Sequence, residues 1–261
     1  MRESRNQLSE LRRKIAVIER QRIAGGPALA SLGHASIDGQ LGGGLAVGRL
    51  HEIFAATSDD AGSASGFAAM AALRIASKGA AIVWLRQQDA EARGGRLHAP
   101  GLIEIGLDPR HILLGVMPDA LGLLRAAAEV VRCPEVGVAV IELWRMPRVL
   151  DLTASRRLAV ACEASGVTAL MLRMEAEPAP SAAQTRWQVG SAVSVPLEAN
   201  APGYPALEIS LLRQRGRPAG ACWQVEWDRD RLCFREPALS GAVVPLPSCG
   251  SAEGARFRRM A

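Results

Sequence analysis

The apolar positions of this chain change period as the sequence advances. Leu8, Leu11, Ile15, Ile18 and Ile23 recur at helical spacing through the charged segment 4–22, with Arg12, Arg13, Arg20 and Arg22 on other faces. This predicts an amphipathic helix outside the main core, ended by Gly25-Gly26-Pro27. Leu32, Ile37 and Leu41 predict a short helical turn around Asp38. From residue 50 the pattern becomes short apolar runs separated by helical stretches. Leu50, Ile53 and Phe54 mark a buried strand, 79–85 reads as a strand buried on both faces, 111–116 as the next strand, 136–143 as another buried strand and 167–172 as a fifth. Ser65 to Ala76, Asp119 to Arg132 and Leu152 to Ser165 read as helices, the last with Asp151 at its start and Gly166 at its end. Gln87 to Gly101 reads as a polar, glycine-punctuated loop. Strands and helices that alternate in this way predict an α/β fold, with a mainly parallel sheet flanked by helices.

After residue 172 the period shortens to two. Thr185 to Val189, Leu207 to Arg213, Cys222 to Trp227 and Leu232 to Arg235 alternate apolar and polar residues. They predict antiparallel strands at the edge of the sheet. Residues 237–261 are rich in Pro, Gly and Ser, carry Arg256, Arg258 and Arg259, and read as a flexible basic tail. The chain therefore divides into an N-terminal helix at 1–27, a core at 28–236 and a tail at 237–261.

The glycine run Gly42-Gly43-Gly44, the strand at Leu50 and the small-residue helix after it have the layout of a phosphate-binding strand-loop-helix. The loop is expected over 55–66, with Ser58, Gly62, Ser65 and Gly66 as its phosphate-facing residues. The expected chemistry is missing from it. Phe67 and Ala68 follow Gly66, where a working loop has Lys and then Ser or Thr. The chain holds two lysines, Lys14 and Lys78, and neither is near. Asp59 and Asp60 would repel a triphosphate. A second nucleotide feature, a strand-end carboxylate for magnesium, has Glu142 in its place. On these residues no cofactor is expected, and ATP with magnesium is the alternative.

Composition narrows the picture further. The chain has 261 residues, 49% hydrophobic and 22% charged, with a net charge of +5 and a pI near 9.3. The positive charge is almost all arginine. Arg156-Arg157 on a helix and Arg213, Arg215 and Arg217 in a hairpin are the candidate contacts for DNA or a partner, since arginine suits phosphate. A solvated surface is the plainer reading of each. The apolar helix positions Leu8, Leu11, Ile15 and Ile18 are the candidate protein-docking face. Five scattered cysteines without CxxC spacing suit a reducing compartment, and the four histidines lack metal-ligand spacing. No apolar leader or membrane-length run stands in the chain, so a cytoplasmic location without membrane contact is expected.

Several stretches together resemble a family. Gly43-Gly44-Leu45-Ala46-Val47-Gly48-Arg49-Leu50-His51-Glu52-Ile53 is similar to the opening of the RecA ATPase core. Leu97 to Leu102 with Gly106 to Pro109, Leu152 to Leu158, Ala164 to Thr168, Pro180 to Trp187, Arg213 to Gly216 and Val225 to Asp228 resemble the ImuA family. The match runs in order over roughly residues 30 to 230. The resemblance implies a RecA-like core and a role in SOS-induced, error-prone translesion synthesis. It implies as partners an ImuB-type relative of Y-family polymerases, RecA and a polymerase III α-type subunit. A non-enzymatic adaptor is the first function this supports. A DNA-stimulated ATPase with a degenerate phosphate loop is the second, and a SulA-like cell-division inhibitor the third. The long region Thr185 to Arg235 argues against the third, because SulA-type chains are shorter.

Overall fold

The computed structural model describes residues 26–77, 79–197, 199 and 201–237. The N-terminal helix expected over 4–22, with Leu8, Leu11, Ile15 and Ile18, lies outside the described residues, as does all but the first residue of the tail.

A nine-stranded sheet organises the rest. Its strands in chain order are β3 (Leu50–Ala55), β4 (Ala81–Gln87), β5 (Ile112–Met117), β6 (Val136–Trp144), β7 (Thr168–Met174), β8 (Thr185–Ser191), β9 (Ala206–Gln214), β10 (Cys222–Asp228) and β11 (Cys233–Arg235). Their spatial order is β11-β10-β9-β8-β3-β7-β6-β4-β5. A two-stranded ribbon, β1 (Leu29–Ala30) with β2 (Leu45–Ala46), precedes it. Gly44, at φ 138°, makes this ribbon possible: a Cβ there would stand 2.3 Å from the Ala30 carbonyl oxygen.

The helices are α1 (Ala35–Leu41), α2 (Ala61–Ile75), α3 (Ala90–Gly94), α4 (Ala99–Glu104), α5 (Ala120–Val130) and α6 (Leu152–Ser165). They split the interior into two layers. On one face α2 packs against Ile53, Val138, Val140, Leu170 and Leu172. On the other, α5 and α6 cover Leu50, Ala139, Ile141, Ala169 and Met171. Both faces of the central strands are thus buried, which is why they read as continuous apolar runs. The alanines of α2 bring its backbone close to the sheet, and Ala64, Ala68, Ala71 and Ala72 are fully buried. Helix α6 begins and ends where the caps predict: Asp151 Oδ1 accepts from the Ala154 N–H at 2.7 Å, and Gly166 closes it in the left-handed conformation. No helix among the described residues is long and apolar enough to cross a membrane.

Three expectations change. First, α2 starts at Ala61 rather than Ser65, preceded by a 3-10 turn over Ser58–Asp60. The residues that looked like loop formers wind into helix because Asp60 receives hydrogen bonds from the Thr57 N–H and hydroxyl. Second, the stretch read as a loop after Gln87 holds α3 and α4. His98 caps α4, its Nδ1 accepting from the Gly101 N–H. Third, β8 is not an antiparallel edge strand. It pairs in parallel with β3, His51 against Thr185, and only with β9 does the antiparallel part begin.

The junction between these two parts is aromatic. Phe67 of α2 lies with its ring centroid 5.8 Å from Trp187 and 5.4 Å from Phe234. Trp227 meets Phe234 edge-on at 5.0 Å. Its indole N–H donates to the Ile105 carbonyl at 2.9 Å.

A buried histidine ties β2, β3 and β8 together. His51 is fully buried; Nε2 lies 2.9 Å from the Ala46 carbonyl, which only accepts, so Nε2 carries the proton. Nδ1 then accepts from the Thr185 hydroxyl at 2.7 Å, and that hydroxyl accepts from the Trp187 indole at 2.8 Å. Burial pushes the imidazole down from 6.5 to about 4; the Ala46 hydrogen bond opposes this and Arg49 adds to it. The unfolded chain takes up this proton near its ordinary value and the folded chain only near 4. Stability therefore falls as pH drops through that window and levels off below it. Between pH 7.5 and 5 the loss from His51 is about 2 kcal/mol. Urea denaturation at the two pH values should show this loss, and His51→Gln should remove that share of it. An equal loss in the variant would overturn the assignment.

Candidate functional site

The expected site is the carboxyl end of the parallel strands. There the chain leaves β3 through Ala56 and Thr57 and enters the 3-10 turn directly. Ser58 and Gly62 are exposed, while Ser65 and Gly66 sit within α2, one turn or more beyond its start. The four residues expected to line one loop are therefore wound into the 3-10 turn and the first turns of α2. Phe67, which follows them, belongs to the aromatic core.

The side chain that occupies the loop is Asp60. It is 7% exposed. Oδ2 accepts from the Thr57 N–H at 3.1 Å and from the Thr57 hydroxyl at 2.8 Å. Oδ1 accepts from the Ser191 N–H at 2.7 Å and the Ser191 hydroxyl at 2.9 Å. Burial would push this carboxyl up, but the hydrogen bonds from Ser191 and Thr57 together hold it below the usual carboxylate range. Two of the four donors are backbone N–H groups, the kind of donor a phosphate loop offers its ligand. Here a carboxylate of the chain itself takes them and ties the loop to the end of β8.

Glu142 is also engaged by its own chain. It lies 2% exposed near the end of β6, paired in register with Arg86 of β4. Oε1 accepts from the Arg86 guanidinium at 2.9 Å and from the Trp144 indole at 2.9 Å. Oε2 accepts from the Trp84 indole at 3.0 Å. Three donors on one carboxylate describe a closed structural hub at the place expected to hold magnesium. Among the described residues no group of three or more His, Cys, Asp or Glu could hold a metal ion.

A third buried carboxylate lies on the sheet face opposite Glu142. Glu52 of β3 pairs in register with Arg186 of β8, at 3.0 Å from Nε and 2.9 Å from NH2, and accepts from the Ser181 hydroxyl at 2.7 Å. Arg173 of β7 stands 3.7 Å from the same carboxylate. Sequence reasoning passed over Glu52, Arg86, Arg173 and Arg186. The signal was present: each is a charge inside an otherwise apolar or buried strand, and such a charge must be paired across the sheet.

The arginines chosen from the sequence lie elsewhere, and some converge. Arg156, Arg213 and Arg215 line one groove of about 580 Å³ with Arg49, between α6 and the chain before β8. Arg156 and Arg157 border a second hollow with Arg132. Arg217 stands apart over Gly42, sharing only a small cavity with Arg215. All five sequence-chosen arginines are exposed. Arg49 is partly neutralised by Glu163 at 3.2 Å.

A mostly parallel sheet, a small-residue helix after its central strand and a loop at its carboxyl end define a RecA-like protein. The crystal structure of the RadB recombinase is similar to it, with a TM-score of 0.52 over 80% of this chain and 99% of that one. At 13% identity the likeness is one of fold. No family model matches the chain. Protein ImuA of Caulobacter vibrioides, from strains NA1000 / CB15N and ATCC 19089 / CIP 103742 / CB 15, is 32% identical over 212 residues, 75% of this chain and 83% of the relative. The chain belongs to the ImuA family.

The Glu142 hub makes a sharp prediction. Glu142→Ala leaves a buried guanidinium and two indole N–H groups without an acceptor, and should cost about 3–5 kcal/mol. Denaturant unfolding reads this directly, and an unchanged midpoint would refute the hub. Loss of function in that variant would then report folding rather than catalysis.

Proposed function

We propose that this chain is a non-enzymatic adaptor of the damage-inducible mutasome, acting in SOS mutagenesis and translesion synthesis. In this reading it contacts an ImuB-type Y-family polymerase homologue, RecA and a polymerase III α-type polymerase. The observation that carries the proposal is Asp60. A negative charge fixed in the loop, held by the Thr57 N–H and by the Ser191 N–H at the end of β8, with no lysine in 55–66, opposes a bound triphosphate. Family membership supplies the pathway, and the rigid two-layer sheet supplies a scaffold for protein contacts.

A phosphate-release assay with and without single-stranded DNA tests this. No turnover above the buffer rate is expected. The pair Gly66→Lys with Phe67→Thr should stay inactive, because Phe67 is core and its loss alone costs about 3–5 kcal/mol. DNA-stimulated turnover by the wild-type chain would favour the ATPase reading.

The groove with Arg49, Arg156, Arg213 and Arg215 is the contact surface we assign to an acidic partner or to DNA phosphates. Arg156→Glu with Arg213→Glu changes only exposed residues and should leave the melting temperature within a few degrees. It should weaken capture of the ImuB-type partner or single-stranded DNA at least tenfold, about 1.4 kcal/mol. Binding of both at wild-type affinity would remove the groove from the model.

A further inference from the structure

On the face of the sheet opposite α2, a cavity of about 190 Å³ opens between the β6–α6 loop, the start of α6 and the chain before β8. Glu52, Arg148, Asp151, Ser155, Arg173 and Ser181 line it. We propose that it is a binding site for a small oxyanion, a carboxylate or a phosphate, held by the Arg173 guanidinium.

Arg173 is 4% exposed, and its Nε has no hydrogen-bond partner. Its nearest counter-charge, Glu52 Oε1, lies 3.7 Å from NH1, beyond hydrogen-bond reach. Glu52 cannot come closer without giving up its own bonds, because Oε2 is held by Arg186 and Ser181. One carboxylate is therefore shared by two guanidiniums. The Phe54 ring fixes both, with Arg173 and Arg186 at 5.5 and 5.6 Å from its centroid. Desolvation pushes the Arg173 pKa down, Glu52 opposes, and Arg186 adds to the fall. Of the charges around the cavity only Glu52, Arg173 and Arg186 are buried, so two buried guanidiniums share one buried carboxylate. One positive charge is left over there, and a buried unpaired charge is costly.

The other polar groups define what fits. The Ser155 hydroxyl donates to the Leu152 carbonyl and the Ser181 hydroxyl to Glu52, so neither is a free donor. Arginine is left as the recognising group, and its planar fork selects two-oxygen acceptors over a halide. The volume is that of about six waters, enough for phosphate or a short carboxylate with one or two waters. Arg148 is exposed at the mouth and adds a second cation without closing the cavity.

The test uses the full chain, with melting curves and calorimetric titration at pH 7.5. Sodium phosphate and sodium acetate are compared with sodium chloride at equal ionic strength. The expected result is a saturable, single-site response to phosphate, acetate or both, absent with chloride. A response to phosphate alone identifies a tetrahedral ligand, and to acetate alone a carboxylate. Arg173→Lys keeps the charge and loses the fork, and should weaken binding about tenfold. Arg148→Ala, a surface change that spares folding, should weaken it several-fold, while Arg156→Ala in the separate groove should not. Equal melting in all three salts would overturn the proposal. So would a response that Arg148→Ala and Arg173→Lys leave unchanged, or one that Arg156→Ala abolishes.

Discussion

A carboxylate taken out of water must be met by donors, and this constraint shapes the carboxyl edge of the sheet. Three of the buried carboxylates, Glu52, Asp60 and Glu142, lie on or beside the parallel strands. Left unpaired, each would cost several kcal/mol. Each is instead satisfied by a neighbouring element. Asp60 joins the end of β3 to the end of β8, Glu142 joins β6 to β4, and Glu52 joins β3 to β8. The pairs Arg86–Glu142 and Glu52–Arg186 are direct register partners, so slipping a strand by one residue would break an ion pair as well as invert the apolar faces. The same edge of a nucleotide-binding fold holds its ligand groups ready for an incoming phosphate. Here the Thr57 N–H and the Glu142 carboxylate are hydrogen-bonded within the protein.

The helix after the central strand shows a related substitution. Phe67 contributes a large buried surface, linking α2 to Trp187 of β8 and Phe234 of β11. Through these rings the antiparallel strands become part of the same core as the parallel ones. At the far edge Arg235 holds Glu226 through two nitrogens, at 3.2 and 2.9 Å, and stacks on Tyr204 at 4.0 Å. The short last strand is thereby fixed by charge as well as by its ladder.

Much of this was legible from the chain, and the failures have physical causes. The β3, β4, β6 and β7 strands and both ends of α6 follow from apolar runs and from Asp151 and Gly166. The direction of β8 does not, because alternation reports which face a residue takes and is silent on whether its neighbour runs parallel. The start of α2 was misplaced because Asp, Gly and Ser favour loops when their side chains compete with the backbone. In the fold, Asp60 is bonded to Thr57 and Ser191 and no longer competes. Helix α4 was missed because its cap is His98, outside the usual capping set. Of the candidate site, the absence of lysine was plain, but the closing role of Asp60 needed its partner Ser191, far away in sequence.

The arginines carry the same lesson further. Composition gives one number, a net charge of +5, and arginine suits two opposite environments. Its fork can be dehydrated against a carboxylate or presented to a phosphate. Arg86, Arg173 and Arg186 are of the first kind, each at or below 8% exposure. Arg156, Arg213 and Arg215 instead stay in solvent, exposed along one groove. A buried arginine within a strand is recognisable once its register partner is known, since Glu142 faces Arg86 and Glu52 faces Arg186. By that criterion Arg173 is the exception: its register partner on β3 is Phe54, which offers a ring and no charge. Its counter-charge is Glu52, diagonal to it on β3 at 3.7 Å and already held by Arg186, so one carboxylate serves two guanidiniums and Arg173 lines the cavity less fully paired than the other two.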